Sequence, residues 1–161
     1  MSIVFLDSSA LAKAYLDEEG SSSMRGVLEG RRHMLFVSDF VVLEVLTSIR
    51  NSLRSAATVD FTHAVDRFEA DHLRLSKVDV APEIQKAAIE MTTPFRSARA
   101  RSMDVLHVAT ALWLQRNVCL PGQVMTIVTS DHDLSALARD CGLRTFDPSR
   151  EPLAALPRVR R

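Results

Sequence analysis

Short β-rich runs alternate with longer helix-patterned segments along this chain, and that alternation restricts its fold more than any other feature. The runs are SIVFL at 2–6, MLFVS at 34–38, LRLSKV at 73–78, VMTIVT at 124–129 and LRTF at 143–146. Helical patterning fills 8–17, 22–30, 39–54, 60–72, 80–94, 102–116 and 131–141. No Asn-Gly hairpin signal joins one run to the next, so successive strands must be linked by crossovers. The expected class is α/β, with a central, mainly parallel sheet of about five strands covered by helices on both faces. The stretch Ser130-Asp131-His132-Asp133 resembles a capping box opening the last helix, and Gly142 is its expected stop.

The chain has 161 residues, 47% of them hydrophobic, which suffices for one domain with a proper core. We assign that domain to 1–147 and expect 148–161, with its prolines and arginines, to form an exposed arm. Formal net charge is zero, which excludes a wholesale polyanion binder and leaves any nucleic-acid contact to a local patch. Cys119 and Cys141 have neither metal-like nor redox-like spacing and read as reduced thiols of a cytoplasmic protein. No apolar run is long enough for a membrane span, and the N-terminus lacks the pattern of a signal peptide.

In a parallel sheet, ligands bind beyond the carboxyl ends of the strands. Asp7 follows the first strand, Ser38 and Asp39 the second, Ser130 and Asp131 the fourth, so polar residues from three exits can share a crevice. Asp7 and Asp131 also suit a plainer role as helix N-caps, and both readings stand.

Two further acids sit in apolar surroundings. Glu44 lies within FVVLEVLTSI with no basic residue on its own helix face; the plain alternative is a narrow solvent-facing stripe. Asp104 opens SMDVLHVATALWL, where Asp104, His107 and Thr110 recur at i, i+3, i+6 along a helix apolar nearly all round. His107 reads as a core histidine bonded to Asp104. If Asp7, Glu44, Asp104 and Asp131 meet, each pair about 4 Å apart repels by about 4 kcal/mol at an effective dielectric near 20. Such a set needs a cation, and its all-oxygen donors select Mg²⁺ or Mn²⁺ over Zn²⁺.

The segments VFLDSSAL, VSDFVVLEV, RSMDVLHVATAL and IVTSDHDL, in this order, resemble the PIN-domain ribonucleases, and in length and layout the VapC-like toxins of toxin–antitoxin pairs. The resemblance implies a PIN-like α/β/α sandwich. It also implies that Asp7, Glu44, Asp104 and Asp131 form an acidic catalytic quartet. Asp7 and Asp104 would bind the metal directly, Glu44 and Asp131 through waters or on a second ion. Asp133 is a peripheral extra acid, and Ser8 and Ser130 fall where the family places hydroxyls that bond the carboxylates. The implied activity is Mg²⁺-dependent endoribonuclease cleavage leaving a 5′-phosphate and a 3′-hydroxyl. Inhibition of translation, homodimerisation and neutralisation by a cognate antitoxin protein are implied with it.

An RNA backbone needs cationic guidance beside an acidic pocket. Arg96, Arg99 and Arg101 precede Asp104 and are the candidates for RNA contact; Arg50, Arg54 and the tail residues Arg158, Arg160 and Arg161 form further groups, while Arg31 and Arg32 read as a solvated face. With one Trp and one Tyr, stacking contributes little, which favours a structured tRNA, rRNA or mRNA element read by shape. Leu11, Ala14, Tyr15 and Leu16, with Val41, Val42, Val45, Leu46 and Ile49, offer more apolar surface than a core needs and suggest a groove for an antitoxin segment. A haloacid-dehalogenase-type phosphatase would need an acid at Ser9, a receiver domain an acidic pair at the first exit, and a dinucleotide fold glycines in the first turn. Two alternatives stay open: a non-catalytic PIN-like interaction module, and a PIN nuclease outside toxin–antitoxin systems.

Overall fold

The computed structural model describes residues 2–30, 33–96 and 98–157. Arg31, Arg32, Arg158, Arg160 and Arg161 lie outside the described residues. In chain order the elements are β1 (Ser2–Leu6), α1 (Ser8–Leu11), α2 (Ser21–Glu29), β2 (His33–Ser38), α3 (Val41–Ser52), α4 (Thr58–His72), β3 (Ser76–Val78), α5 (Pro82–Met91), α6 (Ser102–Asn117), β4 (Thr126–Val128), α7 (His132–Asp140) and β5 (Arg144–Phe146). The five strands form one parallel sheet in the order β3-β2-β1-β4-β5.

Side-chain alternation along the strands divides the core in two. Val4 and Leu6 of β1 face a cluster with Leu11, Met24, Val41, Val45, Ile49 and Phe68, which belong to α1–α4. Ile3 and Phe5 face the other way, onto Ile84, Val108, Leu114, Leu134 and Leu137 of α5–α7. Residues i and i+2 of a strand share a face, so a sheet apolar on both sides requires helices on both sides. The result is an α/β/α sandwich.

Several boundaries differ from expectation for local reasons. The run 8–17 forms only the four-residue α1 and a 3-10 turn at Ala12–Ala14. β3 begins at Ser76, because Arg74 and Leu75 donate backbone hydrogen bonds back to Asp71 and His72 and extend the end of α4. The cap of α7 is Asp131 rather than Ser130: Asp131 Oδ1 accepts from the N–H groups of Asp133 and Leu134 at 2.8 and 3.0 Å. Gly142 stops that helix as expected, at φ +80°, with the Leu143 N–H returning to the Ala138 carbonyl at 3.0 Å in a Schellman closure.

The described part of the segment expected to be an exposed arm is seated at both ends: Pro148 is buried and Ser149 Oγ donates to the Glu19 carbonyl at 3.2 Å. Glu151 to Ala155 are exposed, but Leu156 is 1% exposed and belongs to the α1–α4 core. The expected antitoxin groove is likewise mostly filled: Leu11, Ala14, Tyr15, Leu16, Val41, Val45 and Ile49 are buried core residues. What remains outward on α3 and the turn before it is Leu43, 69% exposed, and Phe40, with Val42 and Leu46 half-buried. Among the described residues no helix is long and apolar enough to cross a membrane.

Candidate functional site

The strand order reverses at β1: β2 and β3 lie on one side of it, β4 and β5 on the other. A crevice opens where such a reversal meets the carboxyl ends of the strands. Leu6 pairs with Val128, so the next residues, Asp7 and Thr129, leave the sheet side by side. A cavity of about 300 Å³ there is lined by Asp7, Ser8, Ser9, Glu44, Arg101, Ser102, Met103, Asp104 and Asp131. The four acids singled out in the sequence thus share one cavity, although they come from the exit of β1, from α3, from the first turn of α6 and from the cap of α7.

Asp7 sits at the base, 4% exposed. Its Oδ2 accepts hydrogen bonds from the Ser9 N–H at 3.2 Å, from Thr129 Oγ1 at 2.9 Å and from Ser9 Oγ. It caps α1 and lines the cavity at once, because only one of its oxygens is needed for the cap. Oδ1 receives no hydrogen bond among the described residues and lies 3.8 Å from His107 Nε2. Burial pushes the Asp7 carboxyl above the ordinary carboxylate range. His107 and the hydroxyls of Ser9 and Thr129 oppose that rise, and Glu44 adds to it.

His107, 2% exposed, pairs with Glu44 and not with Asp104. Its Nε2 lies 3.2 Å from Glu44 Oε1 and 3.0 Å from Oε2, and its buried Nδ1 has no hydrogen-bond partner among the described residues. The expected His107–Asp104 bond fails because Asp104 turns back along its own helix, where Oδ2 accepts from the Arg101 N–H at 2.7 Å. That is half of a capping box; Arg101 has no acceptor with which to complete it. Burial pulls the His107 pKa down, but the Glu44 hydrogen bond and the charges of Asp7, Glu44 and Asp104 outweigh it, and the net shift is upward. Glu44 therefore lies on no simple solvent stripe: its basic partner comes from α6.

Arg101, 78% exposed in its side chain, reaches over the cavity mouth. Its Nη2 donates to Asp131 Oδ2 at 3.0 Å, and its Nε lies 3.5 Å from Asp104 Oδ2. Asp104 and Asp131 raise its pKa further above the ordinary guanidinium value.

The supporting hydroxyls are not the expected ones. Ser8 lines the cavity but bonds none of the carboxylates, and Ser130 Oγ donates to Asp147 Oδ1 at 2.9 Å. Ser9 and Thr129 take the role instead. The strand register that sets Thr129 beside Asp7, and the i+2 position of Ser9 after a helix-capping Asp, are the signals that would have found them. Asp133 is outside the cavity lining and near the His132 ring at 3.7 Å. Arg96 and Arg99 are exposed and also outside the lining, and Asp39 turns away to the Val80 N–H at 3.4 Å.

The donor chemistry fits a hard divalent cation. Every titratable cavity acid is a carboxylate, and Asp7 Oδ1 and Asp104 Oδ1 accept no hydrogen bond among the described residues. As the side chains stand, no group of three His, Cys, Asp or Glu among the described residues is placed to hold a metal ion. Glu44 is turned to His107, and Asp131 to Arg101.

Residues 4–140 match the family model for the PIN domain. The chain belongs to the PIN domain family. Among solved structures, this PIN protein is similar to VapC20 of Mycobacterium tuberculosis, described as a sarcin–ricin-loop-cleaving toxin, with 16% identity and a TM-score of 0.58 over 83% of this chain and 93% of that one. It is also similar to VapBC2 of Rickettsia felis bound to a promoter DNA fragment, with 16% identity and a TM-score of 0.60 over 90% and 98% of the two chains. FitAcB of Neisseria gonorrhoeae gives 16% identity and a TM-score of 0.60 over 92% and 99%. At this identity the likeness carries the fold. No curated protein sequence matches the chain.

Proposed function

We propose that this PIN protein is a Mg²⁺-dependent endoribonuclease, with Mn²⁺ able to substitute, and that it acts as the toxin of a toxin–antitoxin pair. One observation carries the reading: Asp7, Glu44, Asp104 and Asp131, from four separate segments, line a single cavity at the reversal of a parallel sheet. Carboxylates so gathered destabilise the fold unless a cation is held among them. The similarity to VapC20 supports RNA as the substrate, and the similarity to the VapBC2 and FitAcB structures supports a cognate antitoxin; a homodimer acting in the cytoplasm belongs to the same proposal.

Asp7 and Asp104 would hold the metal directly. Glu44 and Asp131 complete the set. Such an ion, when bound, acidifies water for in-line attack and neutralises charge on the scissile phosphate. The protein supplies the rest. Ser9 and Thr129 orient the Asp7 carboxylate, His107 fixes Glu44 from behind, and Arg101, with Arg96 and Arg99 on the segment before it, meets the RNA backbone. The outward Leu43 and Phe40 beside the site are apolar contacts for the antitoxin. The functional unit is the single domain 1–147, extended by a C-terminal segment whose described residues include the buried Pro148 and Leu156.

A second reading, a non-catalytic PIN-like interaction module, draws on the present engagement of Glu44 with His107 and of Asp131 with Arg101. RNA cleavage by the purified protein in Mg²⁺, Mn²⁺ or EDTA, with Asp7→Ala and Asp104→Ala as controls, decides between them. Metal-dependent cleavage lost in both variants supports the nuclease; cleavage surviving both, or persisting in EDTA, excludes it. Growth arrest on expression, relieved by the same substitutions, tests the toxin role; arrest that persists in the variants supports the module.

A further inference from the structure

The cavity wall holds four carboxylates and one guanidinium, its other residues being Ser8, Ser9, Ser102 and Met103. His107 lies behind the wall, against Glu44 and Asp7. Among the described residues Arg101 is therefore the sole cation in the lining, and it faces two of the acids, Asp131 at 3.0 Å and the buried Asp104 at 3.5 Å. We propose that Arg101 is a built-in placeholder cation: its guanidinium holds Asp104 and Asp131 together until a divalent ion takes them, and then withdraws. This inference rests on the reading of the cavity as a metal site.

Three features make the side chain suited to yielding its place. Its base is fixed and its head is loose. The Arg101 N–H is held by Asp104 Oδ2 at 2.7 Å and its carbonyl accepts from the Val105 N–H at 3.0 Å, both at the start of α6. The guanidinium itself is mostly in solvent, and its only partners among the described residues are the two site acids. An exposed ion pair is weak and screened, so it tides the acids over without locking them. A compact divalent ion would carry twice the charge to the same two carboxylates and displace it. The bond that caps α6 uses the backbone N–H, so it survives the movement of the side chain.

With Glu44 turned to His107, Arg101 at Asp131 leaves no three-acid metal group ready among the described residues. Asp131 Oδ1 is spent on the cap of α7, and its remaining Oδ2 is taken by Arg101. Freeing that oxygen requires removing one long, exposed side chain and no backbone change.

The placeholder competes with the metal, and that sets it apart from a residue that merely supports the site or merely contacts RNA. Calorimetric titration of the full chain with Mn²⁺, without RNA, reads the competition directly. Arg101→Ala and Arg101→Gln are expected to lower the half-saturating Mn²⁺ concentration by about three- to tenfold, the range that losing two ion pairs with a solvent-screened guanidinium allows. Arg101→Lys, which keeps the charge, is expected to stay near wild type. Far-UV circular dichroism checks that each variant is folded. Equal Mn²⁺ affinity in all the proteins, or weaker binding in Arg101→Ala, overturns the placeholder and leaves the metal-site reading standing. Absence of Mn²⁺ uptake by wild type, or uptake undiminished in Asp7→Asn, overturns both.

Discussion

His107 on α6 reaches across the cavity floor to Glu44 on α3, with its Nε2 3.0 and 3.2 Å from the two carboxylate oxygens. This contact joins helices from opposite faces of the sheet, and it ties the histidine's proton to the stability of the fold. Because the pKa of His107 is raised in the folded chain, its stabilisation is complete below the ordinary histidine value near about 6.5 and fades as pH rises through the folded value. Thermal melts in chelator between pH 6 and 9 are expected to show wild type losing stability relative to His107→Gln. Parallel curves would remove the histidine from this account.

Asp7→Asn is expected to separate stability from activity. The Asp7 pKa is raised by burial, so its contribution favours folding below the unfolded value and is lost as pH rises through the folded one. At pH values above the folded one, the ionised side chain therefore strains the metal-free protein. The amide keeps an oxygen for the Ser9 and Thr129 donors. In chelator the variant should melt about 2–4 °C higher, corresponding to about 1 kcal/mol for a chain of this size. RNA cleavage should fall by about a hundredfold or more. A lower melting temperature would contradict the burial argument.

Thr129→Val removes one of the hydrogen bonds that hold Asp7 in its ionised form, at nearly constant volume. The carboxyl should then demand a higher pH to ionise. The acid limb of the pH–activity profile is expected to move to more alkaline pH, and stability to fall by about 1 kcal/mol at pH values where Asp7 is charged. An acid limb that stays in place would show that Asp7 ionisation does not govern the rate.

Leu156 and Leu153 lie three residues apart, and the fold treats them differently. Leu156→Ala opens a hole in the α1–α4 core and should cost about 2–4 kcal/mol, read as a shift in the urea midpoint. Leu153, 38% exposed, should cost about 1 kcal/mol or less. Equal effects would mean that the segment is not seated as described.

The layered architecture was legible because it rests on strong, short-range signals. Apolar runs such as Ile3 to Leu6 and the all-round apolarity of α6 announce buried elements wherever they end up. The gathering of Asp7, Glu44, Asp104 and Asp131 was legible for the same reason, since acids at strand exits or on buried helices need an explanation that lies elsewhere in the chain. Pairings decided by register and by rotamer were not. Whether His107 meets Asp104 or Glu44 depends on which way Asp104 folds over its own helix start, and no spacing reports that. Ser9 is told from Ser8 only by reading Asp7 as a helix cap, whose i+2 position the second serine occupies. Leu156 was missed because three arginines and two prolines around it dominate the local composition.

The order in which strands enter the sheet also has a consequence for assembly. Asp131 is delivered by β4, the fourth strand in chain order, which inserts beside β1, the first. A chain extended only through α6 carries Asp7, Glu44 and Asp104, but not the strand that brings the last acid alongside them. The four-acid pocket is therefore completed late in the chain, by a strand that must find a partner laid down more than a hundred residues before it.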